Sequence, residues 1–85
     1  MKYQLLIERA AQKGLSKISH REQDRIIAAI QNLTDNLRPS NAKKLTGRDA
    51  WRMRIGNYRV IYEIHDDTLI VLVVHIGHRK DIYRQ

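Results

Sequence analysis

Residues 51–60 read WRMRIGNYRV. Trp51, Met53 and Ile55 alternate with Arg52 and Arg54, Gly56 and Asn57 interrupt, and the alternation resumes with Tyr58, Arg59 and Val60. Period-two alternation on both sides of a Gly-Asn pair predicts a β-hairpin with a two-residue loop. Such a loop fixes the register, with Ile55 opposite Tyr58, Arg54 opposite Arg59, Met53 opposite Val60, Arg52 opposite Ile61 and Trp51 opposite Tyr62. One face then carries Trp51, Met53, Ile55, Tyr58, Val60 and Tyr62, on which helices can pack, while Arg52, Arg54 and Arg59 gather on the other. Like charges directly opposite each other destabilise a sheet. Two readings are open: an anion relieves the repulsion, for which phosphate suits the planar guanidinium fork, or the arginines form a solvated face partly neutralised by Glu63 and other acids.

The same alternation extends through YRVIYEIH (58–65) and TLIVLVVHI (68–76), which turn at Asp66-Asp67 and complete an antiparallel meander. Upstream, YQLLI (3–7) has the length and apolarity of a first strand. Ala10, Ala11, Leu15 and Ile18 recur at helical spacing from Arg9 to about Ile18, with Gly14 weakening that helix. SHRE (19–22) has the S-x-x-E form of a capping box, so a second helix starts near His20. Ile26, Ile30, Leu33 and Leu37 mark its buried face, and Arg38-Pro39 ends it. PSNAKKLTGRD (39–49) is a polar, basic connection long enough for a binding role through Lys43, Lys44 and Arg48. The predicted architecture is α+β: one strand, two helices, then a three-strand meander. Together these form one four-stranded sheet with the helices on one face, a single domain over residues 1–85.

Sixteen Lys and Arg against nine Asp and Glu leave a net charge of +7, which favours an anionic partner, nucleic acid before membrane, with an acidic protein fitting equally well. The absence of cysteine excludes disulfides, thiolate zinc sites and thiol catalysis, and suits a reducing cytoplasm. The N-terminal apolar run meets Glu8 and Arg9 too soon for a signal peptide or membrane span. No nucleophile elbow, P-loop or dinucleotide-binding glycine pattern occurs. His65, Asp66 and Asp67 are turn neighbours without a ligand spacing, so neither metal nor cofactor is expected.

The C-terminal HIGHRKDIYRQ (75–85) brings two histidines together with Arg79, Lys80, Tyr83 and Arg84. Histidine moves protons near neutral pH and tyrosine stacks on bases, which are the tools for cleaving RNA. His78, read as lying just beyond the last strand, is the better candidate; His75 lies within it and reads as a core or sheet-surface residue. His65 reads as a turn-surface residue and His20 as solvated at a helix start, while Tyr58 and Tyr62 fall on the core face.

KLTGRDAWRMRIGNYRVIYEI followed by HIGHRKDIYR, within residues 43–84, resembles the RelE branch of the RelE/ParE toxin superfamily. The resemblance implies a small antiparallel sheet with two N-terminal helices. It also implies a toxin that enters the ribosomal A site and cleaves mRNA there without metal, leaving a 2′,3′-cyclic phosphate and a 5′-hydroxyl. The expected partners are therefore ribosome, mRNA and an antitoxin encoded nearby, with a higher-order complex of toxin and antitoxin. Position by position, it implies that Arg52 and Arg54 help activate the 2′-hydroxyl and hold the phosphate, and that Arg59 stabilises transition-state charge. Arg79 is implicated in protonating the leaving group and Tyr83 in orienting the base, with Lys43, Lys44, Arg48, Lys80 and Arg84 as RNA or ribosome contacts. The best-known members carry lysines where this chain has Arg52 and Arg54, and arginine is a poor general base, so the expected base is His78. The ParE branch shares the fold but binds DNA gyrase, which the retained arginine and tyrosine set disfavours.

Overall fold

Two helices and five strands occupy residues 3–78, the part of the chain that this computed structural model describes. In chain order they are β1 (Gln4–Ile7), α1 (Arg9–Ser16), α2 (His20–Asn32), β2 (Ala42–Lys44), β3 (Trp51–Ile55), β4 (Tyr58–His65) and β5 (Ile70–His78). The sheet runs β1-β5-β4-β3-β2 and is mixed. β2 to β5 pair antiparallel with their neighbours, whereas β1 lies parallel to β5 from Gln4 beside Ile70 to Ile7 beside Val73.

The predicted four-stranded sheet is corrected on two counts. β2 forms inside the segment read as a connection, where Ala42, Lys43 and Lys44 pair with Met53, Arg52 and Trp51. A strand of three residues leaves too little sequence for a period to show. β1 pairs in parallel with the last strand, a long-range contact that needs a crossover and leaves no local turn signal. The second hairpin also differs: its turn spans residues 66–69, with Leu69 at a positive φ of 56°, and β5 starts at Ile70 and runs through His78. The first hairpin has Gly56 at φ +59°, as primed two-residue turns require of a small residue.

α2 begins at His20 as read, but not by a capping box. Ser19 makes no side-chain cap, and Glu22 is held by Arg25 at 3.0 Å. The α1–α2 corner is tied instead by the Gln23 amide, which donates to the carbonyls of Ile18 at 2.8 Å and Leu15 at 3.0 Å. The core lies between the helices and one face of the sheet. Ala11, Ile18, Ile26, Ile30 and Leu33 meet Met53, Ile55, Val60, Tyr62, Val71, Val73 and Ile76.

Two contacts lock this sandwich. A Cβ on Gly14 would sit 1.9 Å from the Ile76 carbonyl oxygen, so the glycine that weakens α1 as an isolated helix is what lets α1 reach β5. The Tyr62 ring is fully buried, and its hydroxyl donates to the Leu37 carbonyl at 2.8 Å, fastening the chain beyond α2 to the sheet. Burial pushes the Tyr62 phenol up to about 12, against a small opposing effect of Arg38.

Gly14→Ala is expected to lower the melting temperature by about 10 °C. Overpacking against backbone costs roughly 1–3 kcal/mol or more, against about 1 kcal/mol of gained helix propensity, and each kcal/mol moves Tm by roughly 4–8 °C. A rise in Tm would mean that α1 does not approach β5 so closely. Tyr62 holds its proton more tightly folded than unfolded. Its stabilisation is thus fully present below the ordinary value of 10.0 and is lost as pH rises to about 12. Tyr62→Phe should cost about 1 kcal/mol at neutral pH, because the Leu37 carbonyl loses its partner, and the deficit should shrink in denaturant titrations at alkaline pH.

Candidate functional site

The β3–β4 register is the one read from the sequence, including Arg54 directly beside Arg59. Beyond the hairpin, two rows of residues cross the face turned away from the helices. One runs Lys43, Arg52, Ile61, His75, and the other Arg54, Arg59, Gly77. The unrecognised strand β2 therefore adds Lys43 to the arginine cluster, and β5 adds His75.

The three arginines differ in burial. Arg54 is exposed, Arg52 is half-buried, and Arg59 is only 3% exposed. The Arg52 Nε is buried and finds no hydrogen-bond partner among the described residues. A buried donor without an acceptor costs free energy that a bound anion recovers. Ser40, Asn41, Lys43, Arg52 and Arg54 line an open cleft of about 210 Å³. Asn41 holds one wall through its side-chain amide, which donates to the Arg54 carbonyl at 2.8 Å, so β2 and the segment before it are anchored to β3.

Two acids beside this face are engaged with other cations. Glu63 meets Arg48 at 4.0 Å and His65 at 2.8 Å, and Lys44 meets Asp49 at 3.8 Å. Exposed pairs of this kind are worth at most about 1 kcal/mol. Their effect is still to separate Arg48 and Lys44, predicted as binding residues, from Lys43, which lines the cleft.

Of the two histidines, His75, read as either core or sheet surface, lies on the sheet surface, and His78 lies on the helix-facing side. β5 contains a bulge: His75 pairs with Ile61 and Val73 with Tyr62, leaving Val74 without a partner. The extra residue reverses the alternation, so Ile76 and His78 share the helix-facing side with Val71 and Val73. His78 stands beside Tyr58, rings edge to face with centroids 5.7 Å apart, in a groove with Lys13 and Lys17 of α1. It is not brought to the arginines, and its place inside β5 rather than beyond it corrects the sequence reading. The register puts His75 on their face, at the edge of the same groove that His78 lines. Nothing in a period-two pattern announces a bulge, although the two histidines three residues apart differ in parity and one of them had to share a face with Arg59. Arg79, Lys80, Tyr83 and Arg84 lie outside the described residues.

A family model described as the ParE toxin of the type II toxin–antitoxin system parDE matches residues 5–83. A RelE-like toxin protein of Escherichia coli is 28% identical over 87 residues, covering 98% of this chain and 92% of its own. Toxin RelG of Mycobacterium tuberculosis (strain ATCC 25618 / H37Rv) is 28% identical over 91 residues, 100% of each chain. Among solved structures, a chain in the archaeal RelE–RelB complex from Pyrococcus horikoshii OT3 matches with a TM-score of 0.83 at 25% identity, over 93% of this chain and 97% of that one.

The geometry separates cations that face the cleft from cations already paired. Arg54→Ala should reduce the slope of log affinity against log salt for a single-stranded polynucleotide by about 0.7, the loss of one phosphate contact. Lys44→Ala should leave the slope nearly unchanged; equal effects of the two substitutions in fluorescence titrations would mean diffuse charge rather than a cleft.

Proposed function

From the premise that the chain belongs to the ParE toxin family of type II toxin–antitoxin systems, we propose that this toxin is of the RelE kind, an endoribonuclease that cuts mRNA in the ribosomal A site and so stops translation. The observation that carries the reading is the like-charged pair Arg54 and Arg59, side by side in the register, with Arg52 one row away and an open cleft against Arg52 and Arg54. A surface made only to bind protein has no need to gather three guanidinium groups on one face. A phosphodiester does, because in-line attack of the 2′-hydroxyl on phosphorus adds negative charge to the non-bridging oxygens in the transition state.

Arg52 and Arg54 would hold the scissile phosphate in two-point hydrogen bonds, and Arg59, nearly excluded from water, would oppose the developing charge at low dielectric. The P–O5′ bond breaks as the O2′–P bond forms, giving a 2′,3′-cyclic phosphate and a 5′-hydroxyl. Arg79 and Tyr83 take the roles that the resemblance assigns them, protonating the leaving oxygen and stacking on the base. Reliance on the ribosome to position the message accounts for a site that is an open cleft rather than a deep pocket. Lys43, Lys44, Arg48, Lys80 and Arg84 would contact ribosomal or messenger RNA, all in the cytoplasm.

The partner that restrains such a toxin is an antitoxin, as in the RelE–RelB complex matched above. With a net charge of +7, the toxin is suited to an acidic or amphipathic segment laid over the arginine face. The alternative is gyrase inhibition without RNA cleavage, which the ParE name of the matching family model favours.

Primer extension on a translated message separates the two. Ribosome-dependent, in-frame cuts are expected with the wild type. Arg59→Ala should reduce them by roughly 10²–10³-fold, the usual effect of removing one transition-state donor, and Tyr83→Phe should reduce them less. Growth arrest without cuts, together with loss of supercoiling in a gyrase assay, would replace the nuclease reading with the alternative.

A further inference from the structure

We propose that His75 is the general base of this site, taking the proton from the attacking 2′-hydroxyl; the inference rests on the nuclease reading and assigns the one role that the arginines cannot fill. Arginine keeps its proton at any working pH, so neither Arg52 nor Arg54 can accept another. Among the described residues, the other histidines and the tyrosines near the sheet lie elsewhere or are engaged. Tyr58 and His78 are on the helix-facing side, Tyr62 is in the core, and His65 is hydrogen-bonded to Glu63 at the far end of β4.

His75 is on the arginine face, in the row of Arg52 and diagonal to Arg59. Diagonal neighbours in an antiparallel pair stand roughly 7–8 Å apart, within reach of one ribose-phosphate unit. His75 is half-buried, and its Nε2 is buried without a hydrogen-bond partner among the described residues. A buried acceptor left without a donor costs free energy that a hydroxyl brought to it recovers. The reason for its position is Gly77: a Cβ there would come within 3.0 Å of the His75 Nε2, so the imidazole leans over the bare backbone of the residue paired with Arg59. A glycine inside a strand is also where a ligand can approach the sheet closely. A ribose whose phosphate meets Arg59 would therefore pass over Gly77 with its 2′-hydroxyl toward Nε2.

The step balances without a further reagent. The Nε2 lone pair takes the hydroxyl proton, the O2′ electron pair forms the bond to phosphorus, and the P–O5′ pair leaves on O5′, which is protonated by water. The imidazolium then returns its proton to solvent. Among the described residues, the charged groups that set its surroundings are Arg52, Arg54 and Arg59 from β3 and β4, Lys43 from β2, Glu63 further along β4, and Lys13 of α1 with Lys17 just past its end, at the strand edge.

The test is single-turnover cleavage of mRNA on programmed ribosomes by the wild type, His75→Gln and Gly77→Ala, each checked for its melting temperature and for ribosome binding. His75→Gln should lose roughly 10²–10⁴-fold in rate with binding within about 2-fold, and its residual rate should climb with pH as hydroxide takes over the base. Wild-type cleavage matched by His75→Gln in rate and pH profile would overturn the role of His75 and leave the nuclease reading intact. No cleavage by the wild type would overturn both. Should His75→Gln melt too low to compare, Gly77→Ala decides: its methyl group displaces the ring, so a loss of at least about 10-fold in a folded variant supports the role, and full activity overturns it.

Discussion

One residue without a partner, Val74, sets which side chains of β5 meet the helices and which meet the arginines. Before it, Val71 and Val73 are buried against the core; after it, Ile76 is, and His75 and Gly77 turn outward. Strand alternation alone would put Ile76 on the outer face and His75 inside. Burying an isoleucine is worth about 1.5–3 kcal/mol, and burying an imidazole unpaired in its place would cost a comparable amount. The bulge thus satisfies packing and composes the site in one displacement, as bulges near functional surfaces often do.

The electrostatic arrangement shows the same division of labour. Arg38 stacks over Trp51 at 5.3 Å and Arg25 pairs with Glu22, both serving the helix-facing side or the turn between helices and sheet. Arg48 and Lys44 are matched by Glu63 and Asp49. What remains facing the cleft is Lys43, Arg52 and Arg54, with the Arg52 Nε left buried and unsatisfied among the described residues. Among the described residues, the unsatisfied Arg52 Nε and His75 Nε2 both belong to this face, so the local cost is concentrated where the proposed ligand would bind.

Much of this was legible in the sequence because it is local. The β3–β4 register follows from alternation plus a Gly-Asn turn, and it places Arg54 beside Arg59 without further information. The starts of both helices were readable for the same reason. What failed to show is long-range or too short to have a period: the parallel β1–β5 pairing, the three residues of β2 and the bulge. The capping box misled because Glu22 had a better partner in Arg25 than in the backbone. Two of these misses bear on the arginine face: β2 sets Lys43 beside Arg52, and the bulge turns His75 rather than His78 toward that face.

The site is also coupled to the fold through the unpaired half of β5. The β1 ladder ends at Ile7 beside Val73, so on that edge the residues from Val74 to His78 have no neighbouring strand among the described residues. α1 takes the place of the strand. The Glu8 N–H donates to the Val73 carbonyl at 2.9 Å as the chain leaves β1, and Gly14 then brings the helix down onto Ile76. A helix pressed against backbone at that point limits how far the strand carrying His75 and Gly77 can bend or slip. The precision of the proposed site depends on such support, because groups loose by an ångström lose most of their effect. Two glycines, one in α1 and one in β5, therefore serve one end: the first lets the helix clamp the strand, and the second lets the clamped strand offer an imidazole beside a buried arginine.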